Sequence, residues 1–260
     1  RGGTFQMGST DGVGGPAHAV TLETFCIDRT ETSVTEYRAC VTAGGCTAPN
    51  AYVRTRGDNR NFCNWDRSGA EDHPVNCVDW PQAKAYCEWS GNPRGAGRLL
   101  REAEWEYAAR GTAGRLYPWG DAAPNGTLTN LCGSECVAYG RSQGHSGWSG
   151  ISGWTDGFGA TAPVTAFESG ETPEHVRNLA GNVWEWVEDV YVSDAYAQHT
   201  ADGHLRPRDA SATPQSTESR VLRGGSWDFN DAAWARAANR GRIAPTNRIS
   251  LVGVRCARGA

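Results

Sequence analysis

Asn178-Leu179-Ala180-Gly181-Asn182-Val183-Trp184-Glu185-Trp186 is the chemically densest stretch of this chain. Asn178 and Glu185 offer side-chain oxygens seven residues apart, and Gly181 permits a tight turn that aims backbone carbonyls inward. Hard oxygen donors in this mix suit Ca²⁺, which accepts irregular coordination. The same residues also support a plainer arrangement, in which Asn178, Asn182 and Glu185 tie a glycine-rich loop by hydrogen bonds.

Working outward, residues 112–177 are rich in Gly and Trp with weak periodicity, which predicts loops and short strands. Upstream, three helices announce themselves. Ser33-Val34-Thr35-Glu36 is a capping box, Val34, Tyr37 and Val41 fall near one face, and Gly44-Gly45 stops the turn. Asp79 with Gln82 opens a second helix whose inner face carries Ala83 and Cys87, with Gly91 as its stop. A third covers Glu102 to Arg110 with Ala103, Trp105, Ala108 and Ala109 inward and Gly111 at its end. Val20 to Ile27 alternates as one strand, and Arg220-Val221-Leu222-Arg223 and Leu251 to Arg255 read as short strands. The polar stretch 193–219, with Pro207 and Pro214, reads as a surface excursion. No repeat or low-complexity linker divides the chain, so residues 1–260 read as one domain.

Composition narrows the class. A net charge of −4 gives no reason to expect nucleic acid as a partner, and no apolar run is long enough for a membrane span. The 33 Gly and 11 Trp suit a loop-rich fold, and 9 Cys point to disulfides and an oxidising compartment: secreted, periplasmic or cell-surface. Free thiols in a cytosolic core are the alternative. The chain opens abruptly at Arg1-Gly2-Gly3-Thr4-Phe5 with no signal peptide, which suggests a processed or truncated N-terminus.

The motifs have a familiar order. Gly2-Gly3-Thr4-Phe5-Gln6-Met7-Gly8-Ser9 is followed by Asp28-Arg29-Thr30-Glu31-Thr32-Ser33, His73-Pro74-Val75-Asn76-Cys77-Val78-Asp79-Trp80 and Glu102-Ala103-Glu104-Trp105-Glu106-Tyr107-Ala108. Then come Tyr117-Pro118-Trp119-Gly120, the Asn178–Trp186 stretch, Arg223-Gly224-Gly225-Ser226-Trp227 and Gly253-Val254-Arg255-Cys256. Over essentially its whole length the chain resembles the formylglycine-generating-enzyme, or sulfatase-modifying factor, family. The resemblance implies an α+β, C-type lectin-like fold, loop-rich, with few short strands and two to three helices. One departure stands out: the family places Pro-Thr before the third helix, whereas Leu100-Arg101 stand here, and Arg is a poor N-cap.

Carried over from the family, one or two structural calcium ions are implied. Asn178 and Glu185 would ligate through side chains and Gly181 and Val183 through carbonyls. A second set would use Asp156 by its side chain and Phe158 by its carbonyl, with Asn130 and Leu131 completing it. The resemblance also implies a Cys87–Cys256 disulfide. Spacing offers Cys40 with Cys46, Cys132 with Cys136, and Cys63 with Cys77, leaving Cys26 over; spacing alone does not fix such connectivity.

Catalytic members of the family hold copper(I) between two thiolates a few residues past Arg-Gly-Gly-Ser, and soft Cu(I) needs that sulfur pair. No cysteine lies between Cys136 and Cys256 here, and Phe229 and Trp234 stand at or near the expected places. Histidines show no close metal-binding spacing, His73 reads as a structural hydrogen-bonder, and Ser226 is not in a nucleophile elbow. The expected function is therefore a non-catalytic, calcium-stabilised extracellular binding or structural module. The alternative is an enzyme of the same family with altered metal-dependent oxidative chemistry. The segment 227–250 would form the face for a protein, small-molecule or glycan ligand, through Trp227, Phe229, Asn230, Trp234, Arg236, Arg240, Arg242 and Arg248. The competing reading makes the tryptophans core and pairs the arginines with Asp228 and Asp231. Arg236-Ala237-Ala238-Asn239-Arg240 and Pro245-Thr246-Asn247-Arg248 are also similar to the C-terminal cassette of retroelement-diversified variable proteins. That similarity would make Asp228, Phe229, Asn230, Asp231, Gly241, Arg242, Ile243, Ile249 and Ser250 display positions. A subunit of a homo- or hetero-assembly is the remaining option.

Overall fold

The alternating run Val20–Ile27 does not stay one strand. In the computed structural model, which describes residues 2–51, 57, 59–91, 97–199 and 218–260, the run breaks at Glu23-Thr24. β1 (Gly3–Met7) and β2 (His18–Leu22) pair antiparallel, setting Phe5 opposite Val20, whereas β3 (Phe25–Ile27) pairs with β9 (Cys256–Gly259). The two halves have hydrogen-bond partners in different sheets, so a continuous strand could not satisfy both.

The local capping chemistry sets the next two elements. In α1 (Val34–Thr42), Ser33 Oγ accepts from Glu36 N–H and Glu36 Oε2 accepts from Ser33 N–H at 2.8 Å. Its buried face is Val34, Tyr37 and Cys40 rather than Val41, because Cys40 turns inward to bond Cys46. In α2 (Trp80–Ser90), Asp79 and Gln82 exchange the reciprocal bonds at 2.9 and 3.1 Å, Ala83 and Cys87 are buried, and Gly91 is the C-cap.

β4 (Gly97–Leu99) leads into α3 (Glu102–Arg110), where Arg101 supplies no side-chain cap. Two carboxylates, one in the helix and one from outside it, take the N-terminal N–H groups instead. Glu104 Oε2 accepts from Arg101 N–H at 2.9 Å, and Asp189 Oδ2, from a distant strand, accepts from Glu102 N–H at 2.6 Å. Burial, reinforced by the Glu102 carboxylate, pushes Asp189 up to about 7. An acid raised in this way holds its proton more tightly when folded. The stabilisation it gives in the protonated form is complete below about pH 4 and is lost as pH rises through about 7. Stability is therefore expected to fall less between about pH 5 and 8 in Asp189→Asn than in the parent, as read from urea midpoints. Equal falls would refute this.

Residues 112–177 hold a helix where only loops and short strands were expected: α4 (Ser134–Ser142), while β-contacts there are limited to isolated bridges. Gly140 disguises it in sequence, because glycine normally weakens a helix interior. Here the glycine is required by packing, since a Cβ at 140 would lie 2.3 Å from the Trp148 ring. The last sheet is built from β5 (Trp184–Val190), β6 (Arg220–Arg223), β7 (Arg240–Ile243) and β8 (Val252–Gly253) in the order β7-β6-β5-β8, with β5 and β8 parallel. The strand expected over Leu251–Arg255 is thus cut to two residues, because Val254-Arg255 passes between sheets before β9 pairs with both β3 and β4. The stretch read as a surface excursion begins instead with α5 (Ala195–His199), whose Tyr196 is buried; residues 200–217 lie outside the described residues.

The result is an α+β, loop-rich fold in which α4 and the short α5 add to the three helices read from sequence. Trp80, Trp184 and Trp186 anchor the core between α2 and the four-stranded sheet, and Trp105 anchors a second cluster under α3. All four disulfide pairs named from the sequence are bonded, Cys40–Cys46, Cys63–Cys77, Cys87–Cys256 and Cys132–Cys136, with Cys26 free. Among the described residues no helix is long and apolar enough to cross a membrane.

Candidate functional site

The Asn178–Glu185 stretch forms the turn that its sequence announces: Asn178, Gly181 and Asn182 all adopt positive φ. At Gly181 this is compulsory, since a Cβ would lie 2.2 Å from the Asn130 carbonyl oxygen. The side chains point at protein partners. Glu185 takes the Arg255 guanidinium through three contacts of 2.7 to 3.1 Å and also accepts from Trp105 Nε1 at 2.7 Å. Asn178 Nδ2 and Asn182 Nδ2 each donate to Glu31 at 2.8 Å. Burial pushes Glu31 up to about 8 against the opposing pull of Arg255. The Glu185 charge is thus already answered by Arg255, and Asn178 turns its amide nitrogen to Glu31. Among the described residues no side-chain donor meets Asn178 Oδ1 or the Gly181 and Val183 carbonyls, so three oxygens of this set stay open while Glu185 is engaged by Arg255 and Trp105.

The second set fits better. Asn130 Nδ2 donates to Ala160 O and Asn182 Oδ1, while Asn130 Oδ1 is buried with no partner. Such an orphaned acceptor is costly unless something electropositive meets it. Asp156 reaches the backbone of the next residue: its Oδ2 accepts from Leu131 N–H and Trp154 Nε1, both at 3.0 Å, and its Oδ1 accepts from Phe158 N–H at 2.9 Å. Burial raises the Asp156 pKa, and no ion pair to it occurs among the described residues. Neither does any cluster of three or more His, Cys, Asp or Glu side chains, so a cation here would rely on amide, carboxylate and carbonyl oxygens. That is calcium chemistry rather than zinc or copper chemistry.

At the places where the resemblance puts two thiolates, two aromatic rings stack. Phe229 and Trp234 have centroids 4.7 Å apart and planes within 16°, and both stand edge-on to Trp184. Cys26, the one cysteine outside a disulfide, lies in β3, in a different sheet.

The other residues of the expected binding face separate. Trp227 is buried against Phe62 and Trp148, so it is core. Arg236 pairs with Asp11 at 2.5 Å, Arg248 with Asp79 at 2.7 Å, and Arg240 grips Glu102 at 2.6 and 3.0 Å while lying over Tyr191 and Tyr196. Arg242 is exposed over the Tyr191 ring. The arginines do pair with acids, but with Asp11, Asp79 and Glu102. Asp228 instead accepts from Ser226 Oγ at 2.5 Å, and Asp231 caps Ala233 N–H at 2.9 Å. Asn230 is exposed and donates to Ser149 Oγ at 2.8 Å, at the rim of a cleft of about 580 Å³ that Trp148, Asp228 and Arg248 also line. Of the supposed display positions, Asn230, Asp231 and Arg242 are exposed and Ser250 is buried. His73, read as a hydrogen-bonder, meets Thr161 Oγ1 at 3.0 Å. Glu31 and Asp189 gave no signal in the sequence, because their roles depend on partners more than 80 residues away.

Residues 1–260 match the family described as "Sulfatase-modifying factor enzyme 1-like domain". A formylglycine-generating enzyme from Streptomyces coelicolor is 33% identical, covering 100% of this chain and 88% of the relative. A Bos taurus relative named inactive C-alpha-formylglycine-generating enzyme 2 is 34% identical over 73% of this chain, which spans about half (51%) of that relative. Among solved structures, PvdO from Pseudomonas aeruginosa superposes with a TM-score of 0.74 at 27% identity, covering 100% of this chain and 92% of that one. The Treponema denticola variable protein 1 superposes with a TM-score of 0.60 at 20% identity, covering 100% and 95%, a likeness of fold alone.

Proposed function

The chain belongs to the sulfatase-modifying factor enzyme 1-like family, and we propose that it is a non-catalytic binding or structural member of it, working in an oxidising compartment. The Phe229–Trp234 stack is the observation that carries this reading. Neither ring can supply a thiolate, and every cysteine other than Cys26 is locked in a disulfide. A soft Cu(I) ion therefore has no sulfur pair to hold it. The four disulfides support an extracellular-type setting. Copper(I) titration against a competing chelator is expected to show no stoichiometric uptake by the parent chain. Paired Phe229→Cys and Trp234→Cys substitutions should create uptake of about one ion. Tight copper binding by the parent, or its conversion of a cysteine-containing peptide to formylglycine, would sink the reading.

A single calcium ion belongs to the same proposal, held by Asn130 and Asp156 side chains with the Leu131 and Phe158 carbonyls. Its role is to neutralise the half-buried Asp156 carboxylate and stiffen loops that have no ladder of their own. Free calcium at about a hundred times its Kd is expected to stabilise the protein by about 2.7 kcal/mol. The gain should appear as a Tm difference between calcium-loaded and chelated samples and disappear in Asp156→Asn. Identical melting curves with and without chelator would remove calcium from the account.

A further inference from the structure

We infer that the cleft lined by Asp228 and Trp148 binds a small primary amine with a flat apolar body, an inference that names the ligand of the non-catalytic reading and rests on it. The cleft holds about 580 Å³, a size that suits a small molecule. Most of its wall comes from four stretches of chain, within 59–63, 147–149, 227–230 and 248–251.

These walls are tied together before any ligand arrives. Cys63, Cys77 and Cys132 belong to the lining, and all three are held in disulfides. Cys77 N–H donates to Ile249 O at 3.1 Å, and Cys132 N–H donates to Phe229 O at 2.9 Å. Asn230 Nδ2 reaches Ser149 Oγ at 2.8 Å and so joins two of the stretches. Phe62, Trp148 and Trp227 pack ring against ring, with centroids 5.1 to 5.5 Å apart, and give the cleft an apolar side. A site held in shape this way loses little binding energy to ordering.

Charge selects the ligand class. Asp228 is the acid of the lining, and among the described residues no cation offsets it. Its Oδ1 accepts from the buried Ser226 Oγ at 2.5 Å, and its own backbone N–H is the other donor. Burial holds its pKa above the ordinary carboxylate value in spite of both. A carboxylate partly withdrawn from water and lacking a counter-ion is stabilised when a cation arrives. One carboxylate and one hydroxyl are too few oxygens for a bare metal ion. An ammonium group brings the charge and three N–H donors, and a flat hydrocarbon body matches the aromatic side. Arg248 and the exposed Arg60 also line the cleft, and Arg248 keeps its Nε and Nη2 at 2.8 and 2.7 Å from Asp79 Oδ2. The competing ligand is therefore a carboxylate drawn to these arginines, and it forms one arm of the test.

Isothermal titration of the whole chain compares tryptamine and tyramine with tryptophol and tyrosol, the same bodies carrying a hydroxyl in place of the amine, and with indole-3-propionate. Saturable binding of at least one amine is expected, tighter by about tenfold or more than its alcohol and than the acid. Asp228→Asn keeps the side-chain shape and an acceptor for Ser226, and is expected to weaken the amine by a similar factor while its urea midpoint stays near the parent's. Absence of saturable binding by both amines would overturn the inference. So would an alcohol or the acid binding as tightly as the amine, or an Asp228→Asn chain that binds the amine unchanged. The ligand comparison uses the parent chain alone, so it decides the matter even where Asp228→Asn fails to fold. A chain that takes up neither copper nor amine sinks this inference alone, whereas copper uptake sinks the non-catalytic reading beneath it.

Discussion

Glu185→Ala is expected to destabilise the domain by about 3–5 kcal/mol. Glu185 and Arg255 are both essentially buried, and the carboxylate carries three contacts to the guanidinium and one to Trp105 Nε1. Deleting it strands a buried charge and leaves a buried indole N–H without its acceptor, and both costs are paid in full. Arg255 also holds two distant backbone segments, donating to Asp28 O at 3.0 Å and Arg177 O at 2.7 Å, so its displacement would loosen the chain around β3 and the Asn178 turn together. Urea unfolding reads the effect directly. Pairing Glu185→Leu with Arg255→Met should cost less than the single alanine, because no charge is then left without a partner. A loss below about 1 kcal/mol in Glu185→Ala would show that water reaches Arg255 and that the pair is not a structural centre.

Replacing Cys87 and Cys256 together by serine is expected to cost about 5 kcal/mol, in the picture where a disulfide acts by restricting the unfolded chain. The two cysteines are 169 positions apart, so the bond closes most of the chain into a loop and ties α2 to β9. The Cys132–Cys136 bond closes a loop of four positions and should be worth only about 2 kcal/mol by the same reasoning. Urea midpoints of the two double-serine variants, measured side by side, check the ordering. If both lose the same amount, loop length is not what the long bridge contributes.

What could be read from sequence depended on how far away each residue's partner lies. The caps of α1 and α2 were legible because both halves of each box sit within four consecutive positions. The family motifs gave the α+β class, and the place of the missing thiolates came from counting past Ser226. The carboxylates of α3 were not legible. Glu102, Glu104 and Glu106 have the charge expected of solvent-facing helix positions, yet all three are buried. Glu102 meets Arg240, Glu104 meets Arg98, and Glu106 meets both Arg110 and Arg223. The partners of the expected binding arginines were hidden for the mirror-image reason, since the acids paired with Arg236, Arg240 and Arg248 lie more than 130 positions upstream of them. In the first calcium set the acid is likewise matched, to Arg255, a residue the pattern Asn178–Glu185 does not contain.

β9 has a consequence for how the molecule comes to be made. It hydrogen-bonds β3 on one side and β4 on the other, so Cys26 waits for Arg258 and Leu99 waits for Cys256. A chain emerging from the ribosome, or through a translocation pore, must carry both waiting strands with bare edges until β9 has followed them out. Over that interval Cys87 is also without its partner while Cys26 is already present, so a chaperone or a disulfide isomerase acting before the last strand docks would decide the yield of correctly bonded protein.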